Sequence, residues 1–155
     1  MPSVLLPVPH FEQSRDGACL PACARMVLAY WGDLRSETEI SGILGTRAFG
    51  TPISRIRNLV DWGYDVALVY QVQRSALQDY LDTALPVIAR VWTAMLDYWQ
   101  HDSSHVCVLV GYDDDCVIVN DPALSEGHRR VAWNAFLAAW AEFDETAIIV
   151  RPMRG

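Results

Sequence analysis

Apolar positions recur at helical spacing in the first half of the chain and at strand spacing in the second. Between residues 19 and 31, Cys19, Cys23, Met26, Val27 and Tyr30 fall on one helical face, and Pro21 fits only if it lies in the first turn. Gly32 closes that helix as a left-handed cap. The stretch 36–39, Ser-Glu-Thr-Glu, is a capping box ahead of Ile40, Ile43 and Leu44, with Gly45 as the stop. A third helix is predicted from Thr51 as N-cap and Pro52 as first residue, through Ile53, Ile56, Leu59 and Val60 to Gly63.

From residue 64 the period changes. Segments 64–70, 86–92, 105–112, 116–121 and 146–152 read as strands, and 75–83 and 134–143 as helices. Residues 3–9, broken by prolines, read as an edge strand or an irregular lead-in. Asp113, Asp114 and Asp115 form the tight turn between two of the strands. Helices followed by antiparallel strands predict an α+β fold, a helical N-terminal half packed on a C-terminal antiparallel sheet. With no repeat and no interior linker, residues 1–155 are expected to form a single domain.

Composition narrows the partners. At 52% hydrophobic residues with six Trp, the chain is built to bury a core. A net charge of −7 speaks against a nucleic-acid surface, which needs clustered Lys and Arg. The apolar start, residues 1–10, lacks a basic lead and is broken by three prolines, so it does not read as a secretory signal. No run reaches the roughly 18 to 20 apolar residues of a membrane span. The expected location is therefore cytoplasmic, with Cys19, Cys23, Cys107 and Cys116 reduced.

The scarce reactive groups are the cysteines and histidines. His105 opens one strand and Asp121 closes the next, and pairing 105 with 121 centres the turn on 113. A histidine and a carboxylate thus become neighbours. Cys19 stands at a helix N-terminus, where unpaired N–H groups and the helix dipole favour the thiolate. Nucleophile, base and orienting carboxylate make the arrangement used for covalent catalysis. Gln13 is a candidate oxyanion donor, together with the Cys19 backbone N–H.

These residues resemble a family. Gln13, Cys19 six positions later, the strand 105–112 and the Asn-Asp-Pro at 120–122 look like the papain-like cysteine peptidases that process bacteriocin leaders at double-glycine sites, and their stand-alone relatives. The resemblance also takes in 8–13, 26–32 and 85–91, in order, nearly the whole chain. It implies a papain-like fold and a peptide or protein substrate, with Cys19 as nucleophile, His105 as general base and acid, Asp121 orienting His105, and Gln13 in the oxyanion hole. One position departs: the family usually has glycine directly after the cysteine, and Leu20 stands there, where its side chain bears on substrate fit.

Several residues have plainer readings. Cys23, Cys107 and Cys116 fit core positions, with a place beside the site as the alternative for Cys107. A zinc site from Cys19, Cys23, His105 and Asp121 has the right atoms but not the short-loop spacing of a zinc knuckle, so no metal or cofactor is expected. His10, His101 and His128 are expected at the surface, and Asp16 in the loop that caps the first helix. The segment 93–104 is longer than a hairpin needs and puts Tyr98 and Trp99 just ahead of His105. They are candidate substrate-pocket residues, or equally a loop folding onto the core. A catalytically silent peptide-binding module and an acyl transferase using the same residues are the alternative functions.

Overall fold

Alternating Val, Ile and Leu positions in the second half of the chain build one sheet, and its central strand carries the site. The structure is a computed structural model that describes residues 2–153. In chain order its elements are β1 (Val4–Leu5), α1 (Cys19–Tyr30), α2 (Glu37–Leu44), a 3-10 helix (Ile53–Trp62), β2 (Tyr64–Val69), α3 (Arg74–Asp82), β3 (Val87–Trp92), a single 3-10 turn (Thr93–Met95), β4 (Ser104–Tyr112), β5 (Cys116–Asn120), β6 (Arg129–Ala132), α4 (Trp133–Ala141) and β7 (Ala147–Pro152). Every strand pairing is antiparallel, in the order β2-β7-β3-β4-β5-β6, and β1 adds to the end of β4. The α+β expectation therefore describes the molecule.

β4 is apolar from Val106 to Val110 because it is covered on both faces. Near its end it changes neighbour. β3 pairs with it as far as Leu109, and β1 takes over at Gly111 and Tyr112. A Cβ on Gly111 would lie 2.3 Å from the Val4 carbonyl oxygen, so only glycine lets β1 approach.

α1 lies against β4, where the Cys23 Sγ donates to the Val106 carbonyl at 3.5 Å. Its buried surface is wider than the single face predicted. Leu20, Pro21, Ala22, Cys23 and Ala24 are buried in succession, followed by Met26, Val27 and Leu28. Such a helix runs through the core and does not sit on the surface. α2 begins with the predicted capping box between Ser36 and Glu39 and ends at Gly45 in the left-handed region. α4 packs on β3, with Phe136 and Trp140 stacked at 5.4 Å among the largest buried side chains.

Three local expectations are corrected. The third helix is 3-10, not α, and Pro52 is its N-cap and not its first residue. Residues 129–132, unassigned from sequence, form an edge strand whose charged Arg129 and Arg130 disguise its period. The β4–β5 register also differs. Val108 pairs with Asn120 and a bulge lies between Leu109 and Gly111, so His105 and Asp121 are not direct partners. Continuing that register places Asp121 opposite Cys107 and diagonal to His105 on one face, still within side-chain reach.

Candidate active site

Cys19 is the first residue of α1, and its N-cap, Ala18, has no side-chain capping bond. Asp16 lies in the loop ahead of the helix, as expected, where it makes no capping bond and is exposed at the edge of the cleft. The residue before the cap is fixed by geometry. Gly17 has φ +85°, and a Cβ there would lie 3.0 Å from the Ala48 carbonyl oxygen and 3.1 Å from the Gly50 amide nitrogen. The turn at 46–51 is thereby pressed against the start of α1, where it forms one wall of the cleft.

His105 comes from β4, where it pairs with Val91 and is buried. Its Nε2 bonds the Asp121 Oδ1 at 2.7 Å, which leaves Nδ1 for the Cys19 thiol that borders the same cleft. Asp121 is completely buried and takes three further donors. The Ala123 amide donates to Oδ1 at 2.9 Å, and Tyr98 Oη and Trp99 Nε1 donate to Oδ2 at 2.8 and 3.0 Å. Four donors account for the acceptor capacity of a carboxylate.

The protonation states follow from these contacts. Burial alone would push the Cys19 thiol up, but the hydrogen bond and positive charge of His105, with backbone bonds from Val106 and Leu20, bring it below its ordinary value. Burial likewise disfavours a charged His105, yet its bonds to Asp121 and Cys19 raise it to about 9. Asp121, penalised by burial, is held below the carboxylate range first by the hydrogen bond to His105. The set therefore favours a thiolate, an imidazolium and a carboxylate in a row. Cys23 and Cys107, fully buried with Cys19 or Asp121 charges nearby, are pushed well up and stay thiols. Cys107 is a core residue, as expected, and near enough to Asp121 and Cys19 to feel their charges.

Gln13 is pinned on both sides. Its backbone N–H donates to the Pro122 carbonyl at 2.7 Å, and the next residue, Ser14, donates its N–H to Glu37 Oε2 at 3.1 Å. Its side chain borders the cleft beside Cys19, and its Oε1 is buried without a partner. The cleft has a volume of about 700 Å³ between the 46–51 turn and the 98–105 segment. Tyr98 and Trp99 border it while turning their polar atoms onto Asp121. Leu20 is 1% exposed, within the core, and lies at the base of a smaller cavity of about 310 Å³ on the other side of Cys19 and His105.

Sequence reasoning missed three parts of this arrangement. Phe49, 84% exposed at the cleft rim, carries no periodic signal. The Ala123 amide is an Asx-turn donor that the Asp-Pro-Ala at 121–123 could have suggested. His101, exposed as expected, also stands in the cleft wall with its ring 5.3 Å from that of Trp99. His10 is half-buried, with Nε2 2.7 Å from the Leu124 carbonyl oxygen. Among the described residues, no three His, Cys, Asp or Glu side chains converge as a metal site, and no helix is long and apolar enough to cross a membrane.

The same fold occurs in solved structures. A Bacillus anthracis protein described as C39-like peptidase superposes with a TM-score of 0.78 at 18% identity, covering 100% of both chains. The peptidase domain of Streptococcus ComA, a bi-functional ABC transporter involved in a quorum-sensing pathway, gives 0.74 at 21% identity, over 93% of this chain and 98% of that one. A double glycine motif protease from an AMS/PCAT transporter, solved in complex with the leader peptide, gives 0.75 at 19% identity, over 97% and 96%. No curated protein sequence matches the chain. The model of the Peptidase_C39 like family matches residues 5–148, and on that match the chain belongs to the C39-like peptidase family.

Proposed function

We propose that the protein is a cysteine peptidase that hydrolyses an amide bond of a peptide substrate through an acyl-enzyme on Cys19. The convergence of Cys19, His105 and Asp121 carries this reading, because it joins a thiol held below its ordinary pKa to a base that a buried carboxylate orients. The Cys19 thiolate attacks the carbonyl carbon, and the oxygen takes the negative charge. The Cys19 backbone N–H, at the open end of α1, and the Gln13 amide are the donors proposed to receive it. The C–N bond then breaks, and the leaving amine takes the proton from the His105 imidazolium. Water attacks the thioester, giving a proton back to His105, and the acid leaves as the Cys19 thiolate re-forms.

The substrate class we propose is an extended peptide segment laid across Cys19, because the cleft is open and continues past His105 into the smaller cavity. The leader peptide bound by the double glycine motif protease makes leader segments the first substrates to try. Incubating the protein with a leader-derived and random peptide library, with products read by mass spectrometry, tests the proposal. Cleavage by the unmutated chain that is lost in Cys19→Ala and His105→Ala supports it. Binding without turnover, unchanged by Cys19→Ala, refutes it.

A further inference from the structure

Tyr98 and Trp99 sit on a segment that the chain stitches shut. Thr93, fully buried, donates its N–H to the Ser103 carbonyl at 2.9 Å, accepts the Ser103 N–H on Oγ1 at 2.7 Å, and donates Oγ1–H to the His101 carbonyl at 2.8 Å. Within the segment Leu96 is buried, and its carbonyl accepts the Trp99 N–H at 3.2 Å. The Arg129 guanidinium lies over the Tyr98 ring, 4.7 Å from its centre. The two aromatic side chains are thus delivered to the site from a preformed loop.

Their polar atoms do not face the cleft. Both donate to the same oxygen, Asp121 Oδ2, while Oδ1 is left to His105 and the Ala123 amide. The Trp99 ring stands edge-on to the His105 ring, with centres 4.6 Å apart and planes at 61°. A carboxylate with all its acceptor positions filled can neither rotate about its Cβ–Cγ bond nor admit water.

Building on the cysteine-peptidase reading, we propose that Tyr98 and Trp99 are positioning residues that lock the Asp121 carboxylate by Oδ2, so that Oδ1 stays aimed at His105 Nε2 and the thiolate–imidazolium pair is maintained. Loosening the lock weakens the imidazolium, and with it the thiolate. The pH window in which both exist then narrows from each side. A pocket residue would change substrate affinity instead, and a merely structural residue would change stability alone.

The test is the pH dependence of Cys19 alkylation by iodoacetamide in the full chain, comparing wild type with Tyr98→Phe, Trp99→Phe and the double variant, with urea unfolding in parallel. Tyr98→Phe keeps the ring and removes only the donor, whereas Trp99→Phe removes the donor while trading the indole for a smaller ring, a loss of packing that the urea series reads. At pH values below the thiol midpoint, each unit of upward shift cuts the thiolate tenfold. We expect about tenfold slower alkylation there for the double variant and about threefold for each single one. The upper midpoint, set by His105, moves down. For any peptide that the wild type cleaves, kcat should fall with KM within twofold.

Profiles superimposable on wild type in folded variants would overturn the proposal, whatever happens to KM. If the double variant does not fold, Tyr98→Phe alone decides by the same criterion. A wild-type profile insensitive to His105→Ala would overturn the cysteine-peptidase reading itself, which separates the two failures.

Discussion

Replacing Asp121 by asparagine changes one atom and nothing in size, and the surroundings of that atom fix the consequence. Each carboxylate oxygen accepts from two donors: Oδ1 from His105 and Ala123, Oδ2 from Tyr98 and Trp99. Whichever oxygen becomes the NH2 group, it faces one donor that cannot reverse, the Ala123 N–H or the Trp99 Nε1–H, while His105 Nε2 or Tyr98 Oη can turn to accept, so at least one hydrogen bond to a charged acceptor is lost in a site with no access to water. At roughly 1.5–3 kcal/mol for such a bond, Asp121→Asn should destabilise the fold by at least roughly 1.5–3 kcal/mol, against the roughly 5–15 kcal/mol that holds a domain together. Urea unfolding followed by tryptophan fluorescence at neutral pH measures the loss. Acid dependence gives a second readout with a definite sign. Burial would raise the carboxyl, but the His105 hydrogen bond brings it below its ordinary range. Its contribution is therefore present above about pH 4 and withdrawn as pH falls through the lowered pKa. The asparagine variant should lack this part of the acid dependence. A variant within about 1 kcal/mol of wild type, with an unchanged acid limb, would refute the saturated-carboxylate description.

Other consequences follow from the same geometry. Peptide hydrolysis should have a bell-shaped pH profile, rising with ionisation of Cys19 below the ordinary thiol range and falling above about pH 9 as His105 loses its proton; an initial-rate series from pH 4 to 10 shows both limbs. Gly17→Ala puts a side chain at φ +85° against the 46–51 turn. It should lose about 1–2 kcal/mol in urea unfolding from the left-handed backbone alone, and reduce turnover by displacing the cleft wall. Gln13→Ala should lower kcat by roughly 10²–10³ with the unfolding midpoint nearly unchanged, because the backbone bond to Pro122 remains.

The parts legible from sequence are those that depend on local chemistry. The α1 boundary, the capping box of α2 and the left-handed Gly32 and Gly45 each follow from one or two residues, and the structure has them. The meeting of His105 with Asp121 was also legible, although for an approximate reason. A hairpin was enough to bring the strand ends together, but its turn is centred between Asp114 and Asp115 and not on Asp113, and with the one-residue bulge between Leu109 and Gly111 the contact is diagonal. Bulges have no fixed sequence mark, since they answer to a neighbour, here β1 crossing at Gly111. β6 was hidden because an edge strand needs few apolar residues, and only Val131 of its four is buried. Tyr98 and Trp99 were legible as residues near the base, while the direction of their O–H and N–H groups was not, because it depends on loop closure by Thr93 from outside the motif. Leu20 illustrates the converse. Its departure from the family pattern is visible in the sequence, yet its burial within the core depends on the packing of α1 on β4.

The central claim is that Cys19 is the nucleophile because His105 holds it as a thiolate. Intact-mass and peptide-mapped labelling with iodoacetamide near neutral pH tests it most directly. Cys19 should be modified first, with Cys23 and Cys107 protected by burial and raised pKa, and His105→Ala should slow the reaction sharply. Equal labelling of all four cysteines, or a Cys19 rate indifferent to His105→Ala, would contradict the account.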